Sequence, residues 1–439
     1  MAKAPLPPGR SGLPLIGETL SFVSNGFQFV EDRANQYGPV FRTNILGRQT
    51  AVITTPDAST VWIDPEKIFR EGSMPPHIQQ LFGGRSLPLL DGSDHRTRKL
   101  QILAGFTREA LADYLVPLEV LVASTLDRWS KSGEIAAIPE LKRLAIEGIC
   151  GSVLSLEAGD LTDRLRTEYG ILAQGFNALP IPVPGSRFKR AIAARDRIFS
   201  IYDDLIRNRR REPARDALSR ILEARSEEGA AIADADARLE LHHLVVAGYI
   251  IYAEFAALLL HLDRNPAVLE RLRKEVSGAA PSGPIRYTAL AKMPYLLQVI
   301  QETKRLCPIL PAVFGRAKRD FEFKGFMIPA GWMVLWGWRT IHLDRGIYRA
   351  PERFDPERFS PERAEDLKHE HAFTPQGAGP ATGHRCPGID YSTMFMQLFG
   401  AHLVRDFDFL LPAQRLEYAW KNTPPEPKDG LLVRFAKRG

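Results

Sequence analysis

Most of the chain carries apolar residues at every third or fourth position, with charged residues between them. This spacing is typical of helices that bury one face and expose the other. It predicts helices over residues 27–37, 95–128, 140–156, 161–177, 188–209, 216–225, 240–262, 266–275, 294–305 and 389–404. The pattern therefore predicts a mainly α protein.

Two stretches depart from that pattern, with β-branched and aromatic residues interrupted by Gly and Pro. In the first, residues 40–44 and 50–54 flank Leu46-Gly47-Arg48, which predicts two paired strands. The second covers residues 312–338 and also predicts sheet. We expect these strands to form a small β-rich lobe beside the helices.

The composition is that of a folded protein, since 44% of the 439 residues are hydrophobic. The 58 Lys and Arg exceed the 52 Asp and Glu by a net charge of +6, spread along the chain. Nucleic-acid binding, which needs a concentrated basic surface, is therefore disfavoured. Three cysteines without paired spacing argue against a disulfide framework and favour a reducing cytoplasm.

No secretory or mitochondrial signal comes before the proline-rich N-terminal segment, so we expect a cytoplasmic protein without a membrane anchor. The one stretch of membrane-spanning length, residues 244–262, carries Glu254 near its middle. A charge at the centre of a bilayer is costly, whereas a long helix inside a large core shows the same pattern. We interpret this stretch as a core helix.

Cys386 lies in a glycine-rich loop, residues 374–388, immediately before a predicted helix. Glycines let a backbone approach a flat ligand closely, and loop N–H groups with the positive end of a helix stabilise a thiolate. The loop is thus suited to present a sulfur ligand to iron. For an isolated motif of this kind, an ordinary loop with a buried cysteine is the more common case.

Two motifs upstream of the loop favour the interpretation of Cys386 as an iron ligand over that of an ordinary buried cysteine. Glu302 and Arg305 stand three residues apart on one helical face, and a second motif, PERFDPERF at residues 351–359, supplies Arg358. In this order the three motifs resemble the cytochrome P-450 superfamily of haem-thiolate oxygenases, over nearly the whole chain. The resemblance implies one large domain of cytochrome P-450 fold, residues 1–439, with a proline-rich segment at residues 1–26.

Two segments, residues 176–195 and 325–332, are similar to the branch of that superfamily that hydroxylates retinoids and related terpenoid or sterol-like compounds. The cysteine loop is more similar to bacterial fatty-acid peroxygenases. The resemblance therefore implies a monooxygenase that hydroxylates an apolar small molecule, terpenoid- or retinoid-like or a fatty acid. The alternatives are a peroxide-driven peroxygenase, an oxygen-independent isomerase or dehydratase, and a haem-binding sensor without turnover.

The resemblance implies haem b as the cofactor, with Cys386 as the axial ligand of its iron. The side chains expected around the haem propionates are His95, Lys99, Arg316, His384 and Arg385. Each of these taken alone fits a surface charge equally well. A buried network beneath the haem is also implied, as a structural support made of Glu302, Arg305 and Arg358.

The cysteine loop departs from the superfamily pattern at two points. Gln376 stands where an aromatic residue normally precedes the glycines, and the stretch from Gly379 to Cys386 is longer than usual. The Gln376 amide either donates a hydrogen bond to sulfur, which would raise the potential of the iron, or faces solvent. A competing zinc site lacks the short Cys or His pairs that zinc prefers and would comprise His369, His371, His384 and Cys386.

The central helix also departs from the superfamily pattern. The superfamily usually places an acid and an alcohol there to relay protons, whereas this chain has Ala247, Gly248, Tyr249, Ile250 and Ile251. Neither Ile250 nor Ile251 can carry a proton, so the ordinary proton route is in doubt. Tyr249 and Glu254 are candidate substitutes, and for Glu254 an ion pair or a helix-face position is favoured.

A monooxygenase also needs electrons. The resemblance implies a ferredoxin- or flavodoxin-type donor with its reductase, docking on a basic patch at the cysteine side of the haem, or hydrogen peroxide instead of both. The modest positive charge fits such a patch and fits simple solubility equally well. The expected ligand is an apolar small molecule, and no nucleic acid is expected.

Overall fold

The computed structural model describes residues 4–176, 178, 180–181, 183–307 and 309–438. The proline-rich segment at 1–26 and the terpenoid-branch segment at 176–195 therefore extend in part beyond the described residues. The α-helices are α1 (Thr19–Ser24), α2 (Gly26–Tyr37), α3 (Ala58–Trp62), α4 (Pro76–Phe82), α5 (Gly92–Leu103), α6 (Arg108–Ser132), α7 (Ala137–Leu154), α8 (Asp160–Phe176), α9 (Arg187–Arg211), α10 (Ala217–Glu223), α11 (Asp234–Tyr249), α12 (Tyr252–Arg264), α13 (Pro266–Ala279), α14 (Tyr287–Leu290), α15 (Pro294–Leu306), α16 (Trp338–His342) and α17 (Ile389–Asp406). Short 3₁₀ helices cover Leu87–Leu89, Ala104–Phe106, Pro356–Phe359 and Glu365–Leu367.

The strands are β1 (Val40–Ile45), β2 (Arg48–Ile53), β3 (Ile68–Phe69), β4 (Glu134–Ala136), β5 (Val313–Ala317), β6 (Phe321–Phe323), β7 (Phe326–Ile328), β8 (Met333–Trp336), β9 (Phe407–Leu410) and β10 (Leu432–Lys437). As predicted, β1 and β2 pair antiparallel, with Val40 opposite Ile53. They continue into a sheet of order β1-β2-β8-β5-β3, beside the smaller sheets β4-β10-β9 and β6-β7. The predicted mainly α fold with a small β lobe is confirmed.

The segment predicted as one helix over residues 95–128 forms two helices, α5 and α6. Thr107 adopts an extended backbone conformation, with φ −67° and ψ 163°, and its side chain accepts a hydrogen bond from the N–H of Ala110 at 3.2 Å. This side chain caps α6, as threonine commonly does at a helix N-terminus. The apolar periodicity alone does not reveal such a boundary.

The central helical segment, residues 234–264, lies in the main hydrophobic core. Among the residues that the structure describes, it is the one helical run long and apolar enough to cross a membrane, and 67% of its most apolar window is buried within the fold. Glu254, near its middle, is buried beside other side chains of the protein. The stretch is thus a core helix, as its central charge indicated.

This central segment is interrupted at Ile250 and Ile251, which form a turn between α11 and α12. The N–H of Ile251 donates to the carbonyl of Gly248 at 3.3 Å, and that of Ala253 donates to Ile250 at 3.2 Å. Both bonds span three residues rather than four. The prediction of an unbroken helix over 240–262 was therefore wrong here, where two β-branched residues follow closely after a glycine.

Gly248 allows α11 to approach α7. A Cβ atom at Gly248 would lie 2.4 Å from Cγ1 and 3.0 Å from Cβ of Ile149. These distances leave no room for a methyl group, and Cβ of Ile149 is too close to its backbone to move aside easily. Gly248 therefore faces the neighbouring helix, and its lack of a side chain is required by packing.

We expect Gly248→Ala to lower the free energy of unfolding by about 1–3 kcal/mol, because the added methyl group overpacks the contact between α11 and α7. Gly170→Ala is the matched control, since Gly170 lies within α8 and a Cβ there would meet no atom within 4 Å. The control should stabilise the protein by roughly 0.5–1 kcal/mol. Urea unfolding followed by circular dichroism measures both; effects of the same sign would contradict the close approach.

Candidate functional site

Cys386 lies at the end of the glycine-rich loop, just before α17. Its backbone N–H donates to the carbonyl of Gln376 at 3.0 Å, which closes the loop on itself. Gly377 and Gly379 have φ values of 92° and 88°, and a Cβ at Gly379 would lie 2.9 Å from Ile63. Glycine at these two positions therefore lets the loop turn tightly and hold Cys386 at the helix N-terminus.

The Cys386 sulfur has neighbours that favour its anion. Burial raises the pKa of the thiol overall, and Glu254 adds to that rise, whereas the backbone N–H of Gly388 and the ammonium groups of Lys99 and Lys304 oppose it. The positive end of the α17 dipole acts in the same direction. These groups compensate part of the cost of placing a negatively charged sulfur in the protein interior.

The other two cysteines, Cys150 and Cys307, have different surroundings. Burial raises the pKa of Cys150 to about 12, and the nearby Glu147 raises it further. Burial also raises the pKa of Cys307, again with a carboxylate, Glu254, acting in the same direction. Neither sulfur is therefore prepared to serve as a thiolate ligand.

Basic side chains converge beside the cysteine loop. The rings of His95 and His384 lie with centroids 3.9 Å apart, and Nε2 of His384 is 3.6 Å from Oδ1 of Asp91. Lys99, one turn after His95 on α5, donates from its ammonium group to the backbone carbonyl of Arg385. The residue Arg385 is itself exposed. Lys99, which was predicted to bind a propionate, thus contacts the backbone of the cysteine loop.

Arg316 on β5 and Arg70 just after β3 complete this cluster, because the two strands pair. Desolvation lowers the pKa of Arg70 to about 10 and that of Lys99 to about 8. The carboxylate of Asp91 accepts from the backbone N–H groups of Arg70 and Glu71 at 2.7 and 2.9 Å. Sequence reasoning missed Arg70 and Asp91, because neither belongs to a motif and only the folded chain brings them together.

The break in the central helix presents an apolar surface. Ala247 is exposed and Ile250 half-buried, whereas Ile251 is only 5% exposed within the core. Tyr249 packs against Tyr252, with ring centroids 5.6 Å apart, and burial raises the pKa of Tyr249. At the positions predicted to correspond to the usual acid and alcohol, Ile250 and Ile251 thus present hydrocarbon.

Glu254 and Gln376 meet in one buried network. The Glu254 carboxylate lies 3.9 Å from the ammonium group of Lys304, which also donates to Oε1 of Gln376 at 3.0 Å. The amide nitrogen of Gln376 donates to Oγ of Ser392 at 3.1 Å. Gln376 is half-buried, and its amide oxygen accepts from a buried lysine that sequence reasoning overlooked; both predicted roles of its amide nitrogen stay predictions.

Glu302 lies between Arg305 and Arg358, and all three side chains are buried. Its Oε2 accepts from Nε of Arg305 at 2.7 Å, and its Oε1 accepts from Nε of Arg358 at 3.0 Å. Arg358 also donates to Glu365 at 2.6 Å, a second carboxylate that sequence reasoning missed. Arg363 also donates to Glu365, at 2.7 Å, so the two acids share three guanidinium groups and each charge has a partner.

This network extends to the cysteine loop. Arg305 donates to the backbone carbonyl of His342 at 2.5 Å. The imidazole Nε2 of His342 accepts from the N–H of Thr374 at 3.1 Å, where the glycine-rich loop begins. The buried charges on α15 thus help to place the start of the loop.

The four residues considered for zinc do not converge. Nε2 of His369 lies 3.1 Å from Asp57, whereas His384 lies beside His95. Within residues 4–438, leaving aside the positions not described, no group of three or more His, Cys, Asp or Glu side chains is arranged to hold a metal ion.

The Cytochrome P450 family model matches residues 7–420 of this chain. The chain belongs to the cytochrome P450 family. It is 31% identical to the putative cytochrome P450 120 of Synechocystis sp. over 436 residues, which cover 98% of this chain and 97% of that protein. Ent-kaurenoic acid oxidase 1 of Arabidopsis thaliana is 29% identical over 467 residues, covering 98% of this chain and 91% of that protein.

Among solved structures, the retinoic acid-bound cyanobacterial CYP120A1 matches with a TM-score of 0.92 and 30% identity, covering 100% of both chains. The predicted cytochrome P-450 fold, the haem b cofactor and the oxidoreductase class are thereby confirmed. The two named ligands, retinoic acid and ent-kaurenoic acid, agree with the predicted similarity to the retinoid and terpenoid branch.

The residues present fit a haem. Nε2 of His95 and Nε of Arg316 are buried nitrogen atoms without a hydrogen-bond partner among the described residues. Buried nitrogens of this kind are costly unless an acceptor reaches them. The basic cluster around them contains one carboxylate, Asp91, so the two propionates of haem would supply the missing acceptors and negative charge. Cys386 offers a free sulfur for the iron.

We expect Glu302→Ala and Arg305→Ala each to lower the free energy of unfolding by about 3–5 kcal/mol, because each leaves a buried charge without its partner. The double substitution should cost less than the sum of the two, since both residues belong to one network. Haem content should fall with stability. Chemical unfolding and absorbance at the haem band measure these effects.

The control is Arg345→Ala, because Arg345 forms a 2.6 Å ion pair with Glu352 at the surface, where both side chains are exposed. Exposed ion pairs contribute little to stability. Normal stability and haem content in the Glu302 and Arg305 variants, as in this control, would show that the network supports neither the fold nor the site.

Proposed function

We propose that the chain is a haem-thiolate monooxygenase that oxidises an apolar, terpenoid- or retinoid-like molecule, with Cys386 as the iron ligand. One observation carries the proposal: Cys386 stands at the N-terminus of α17, with the N–H of Gly388 and the charges of Lys99 and Lys304 favouring its anion. The substrate class is supported by the relatives named for retinoic and ent-kaurenoic acid.

The basic cluster would bind the propionates, through the free nitrogens of His95 and Arg316 and the buried guanidinium of Arg70. When bound, haem with a thiolate ligand supplies the activation of oxygen. The chain then has to orient an apolar substrate and exclude water. Ala247 and Ile250 suit this task, since they present small and apolar surface on the central helix.

An oxygen-driven reaction needs protons, and the side chains near the break in the central helix are poorly suited to supply them. The side chains of Ile250 and Ile251 hold no proton, and Glu254 lies in the network with Lys304. Tyr249 packs against Tyr252 and its pKa is raised, so it holds its proton firmly. This apolar break favours a second candidate function, a peroxide-driven oxygenase, because hydrogen peroxide brings both its protons and its electrons.

The electron source differs between the two candidates. For the first, we propose a ferredoxin- or flavodoxin-type protein with its reductase; for the second, hydrogen peroxide replaces both. We place the reaction in the cytoplasm, where three free cysteines remain reduced. A fatty acid is the next candidate substrate, on the similarity of the cysteine loop to fatty-acid peroxygenases.

We expect the reduced protein with carbon monoxide to show the absorption band of a thiolate-ligated haem. Cys386→His should abolish this band, because the thiolate that produces it is lost. Cys150→Ala and Cys307→Ala are the controls and should keep it, since both sulfurs lie in surroundings that disfavour an anion. A thiolate band that survives in Cys386→His would exclude Cys386 as the ligand.

The proposed lack of a proton donor is tested by comparing turnover with oxygen and with hydrogen peroxide. We expect slow or peroxide-leaking turnover with oxygen and a redox partner, and comparatively good turnover with hydrogen peroxide. Ile250→Asp with Ile251→Thr should raise the yield of product per electron, because an acid and an alcohol then stand at the break. The measurement sets product per electron beside product per peroxide on one apolar substrate, such as retinoic acid.

The control is Ile149→Val, which removes a methyl group where α7 meets α11 and introduces no proton donor. It should leave the yield per electron unchanged. Tight coupling in the unaltered enzyme, together with loss of activity in the double variant, would contradict the proposed lack of a proton donor.

A further inference from the structure

Lys304 is a buried ammonium group held mainly by uncharged acceptors. It lies on α15 between Glu302 and Arg305 and is 5% exposed. Its Nζ donates to Oε1 of Gln376 at 3.0 Å, to Oγ of Ser392 at 2.7 Å and to Oγ1 of Thr393 at 3.1 Å. An ammonium group has three N–H donors, and these three oxygens satisfy them.

The carboxylate that faces Lys304 does not form a hydrogen bond with it. Oε2 of Glu254 lies 3.9 Å from Nζ, and this oxygen has no hydrogen-bond partner among the described residues. The pair is thus loose, and the positive charge is only partly neutralised. In a buried region, where the effective dielectric constant is far below that of water, the field of such a charge extends over several ångströms.

The groups that hold Lys304 also flank Cys386. Ser392 and Thr393 belong to the first turns of α17, which begins just after Cys386. The backbone carbonyl of Gln376 accepts from the N–H of Cys386 at 3.0 Å. Burial lowers the pKa of Lys304, and the nearby Glu254 carboxylate and the Cys386 sulfur oppose that shift. The ammonium group of Lys304 is thus held by hydrogen bonds to the loop before Cys386 and to the helix after it.

We propose that Lys304 is a positioning residue that raises the reduction potential of the haem iron, by holding a fixed positive charge behind the sulfur of Cys386. Glu254 sets how much of that charge the sulfur experiences. This inference rests on the proposed role of Cys386 as the iron ligand. A positive charge near the thiolate reduces its electron donation to the iron and favours the reduced state, which carries one positive charge less.

The test is the reduction potential of the haem-loaded protein, measured by spectroelectrochemistry without substrate. Lys304→Met keeps the length of the side chain and removes its charge. We expect the ferric state to become about tenfold more favoured, a fall of about 59 mV for one electron. Coulomb's law gives an effect of this order for a charge within about 10 Å at an effective dielectric constant of about 20.

Lys142→Met is the matched control. Lys142 is half-buried rather than buried, and its ammonium group forms a direct 2.7 Å ion pair with Glu426. Its removal should leave the potential unchanged. A fall in Lys304→Met no larger than that in Lys142→Met would overturn the inference, because a lysine that only braces the loop would not move the potential.

Glu254→Gln tests the sign of the effect. If Lys304→Met does not bind haem, Glu254→Gln alone tests the inference. It removes the opposing charge and keeps the lysine, so the potential should rise. A fall or no change would overturn the inference. The carbon monoxide spectrum of each variant is recorded in parallel: a missing thiolate band in the unaltered protein refutes Cys386 as the ligand, whereas a normal band with unmoved potentials refutes only the role of Lys304.

Discussion

The proposed site requires a sulfur anion to be held inside the protein, on the half-buried Cys386. A lone charge there is costly, so the chain surrounds Cys386 with the N–H of Gly388, the end of α17 and two buried ammonium groups, Lys99 and Lys304. Lys99 also donates to the loop backbone at Arg385, so one lysine both shapes the loop and stabilises the sulfur. The glycine-rich loop and the adjoining helices can be understood as the means of bringing these groups to one atom.

A second set of buried charges supports the start of the cysteine loop. Glu302 joins Arg305 and Arg358, and Arg305 continues through His342 to Thr374, where the loop begins. Such a network contributes geometric definition more than net stability, since the attraction between its charges is offset by the cost of removing them from water. Its link to the loop is the hydrogen bond from the N–H of Thr374 to His342, which a shift of the loop start would break.

The sequence predicts the elements well and their junctions poorly. Apolar periodicity indicates the long helices and the hairpin of β1 and β2, because those patterns depend on residues close in the chain. The turn at Ile250 and Ile251 was missed, since apolar residues continue through it on both sides. The same holds for Lys304, whose acceptors come from the cysteine loop and α17 and belong to no local pattern.

These observations describe an oxygenase whose sulfur side is rich in charge and whose central helix is apolar where protons are usually relayed. X-ray absorption spectroscopy at the iron K-edge tests the proposed sulfur ligation by Cys386 most directly. We expect one sulfur scatterer at bonding distance in the unaltered ferric protein and none in Cys386→His. A first shell of nitrogen and oxygen alone in the unaltered protein would contradict it.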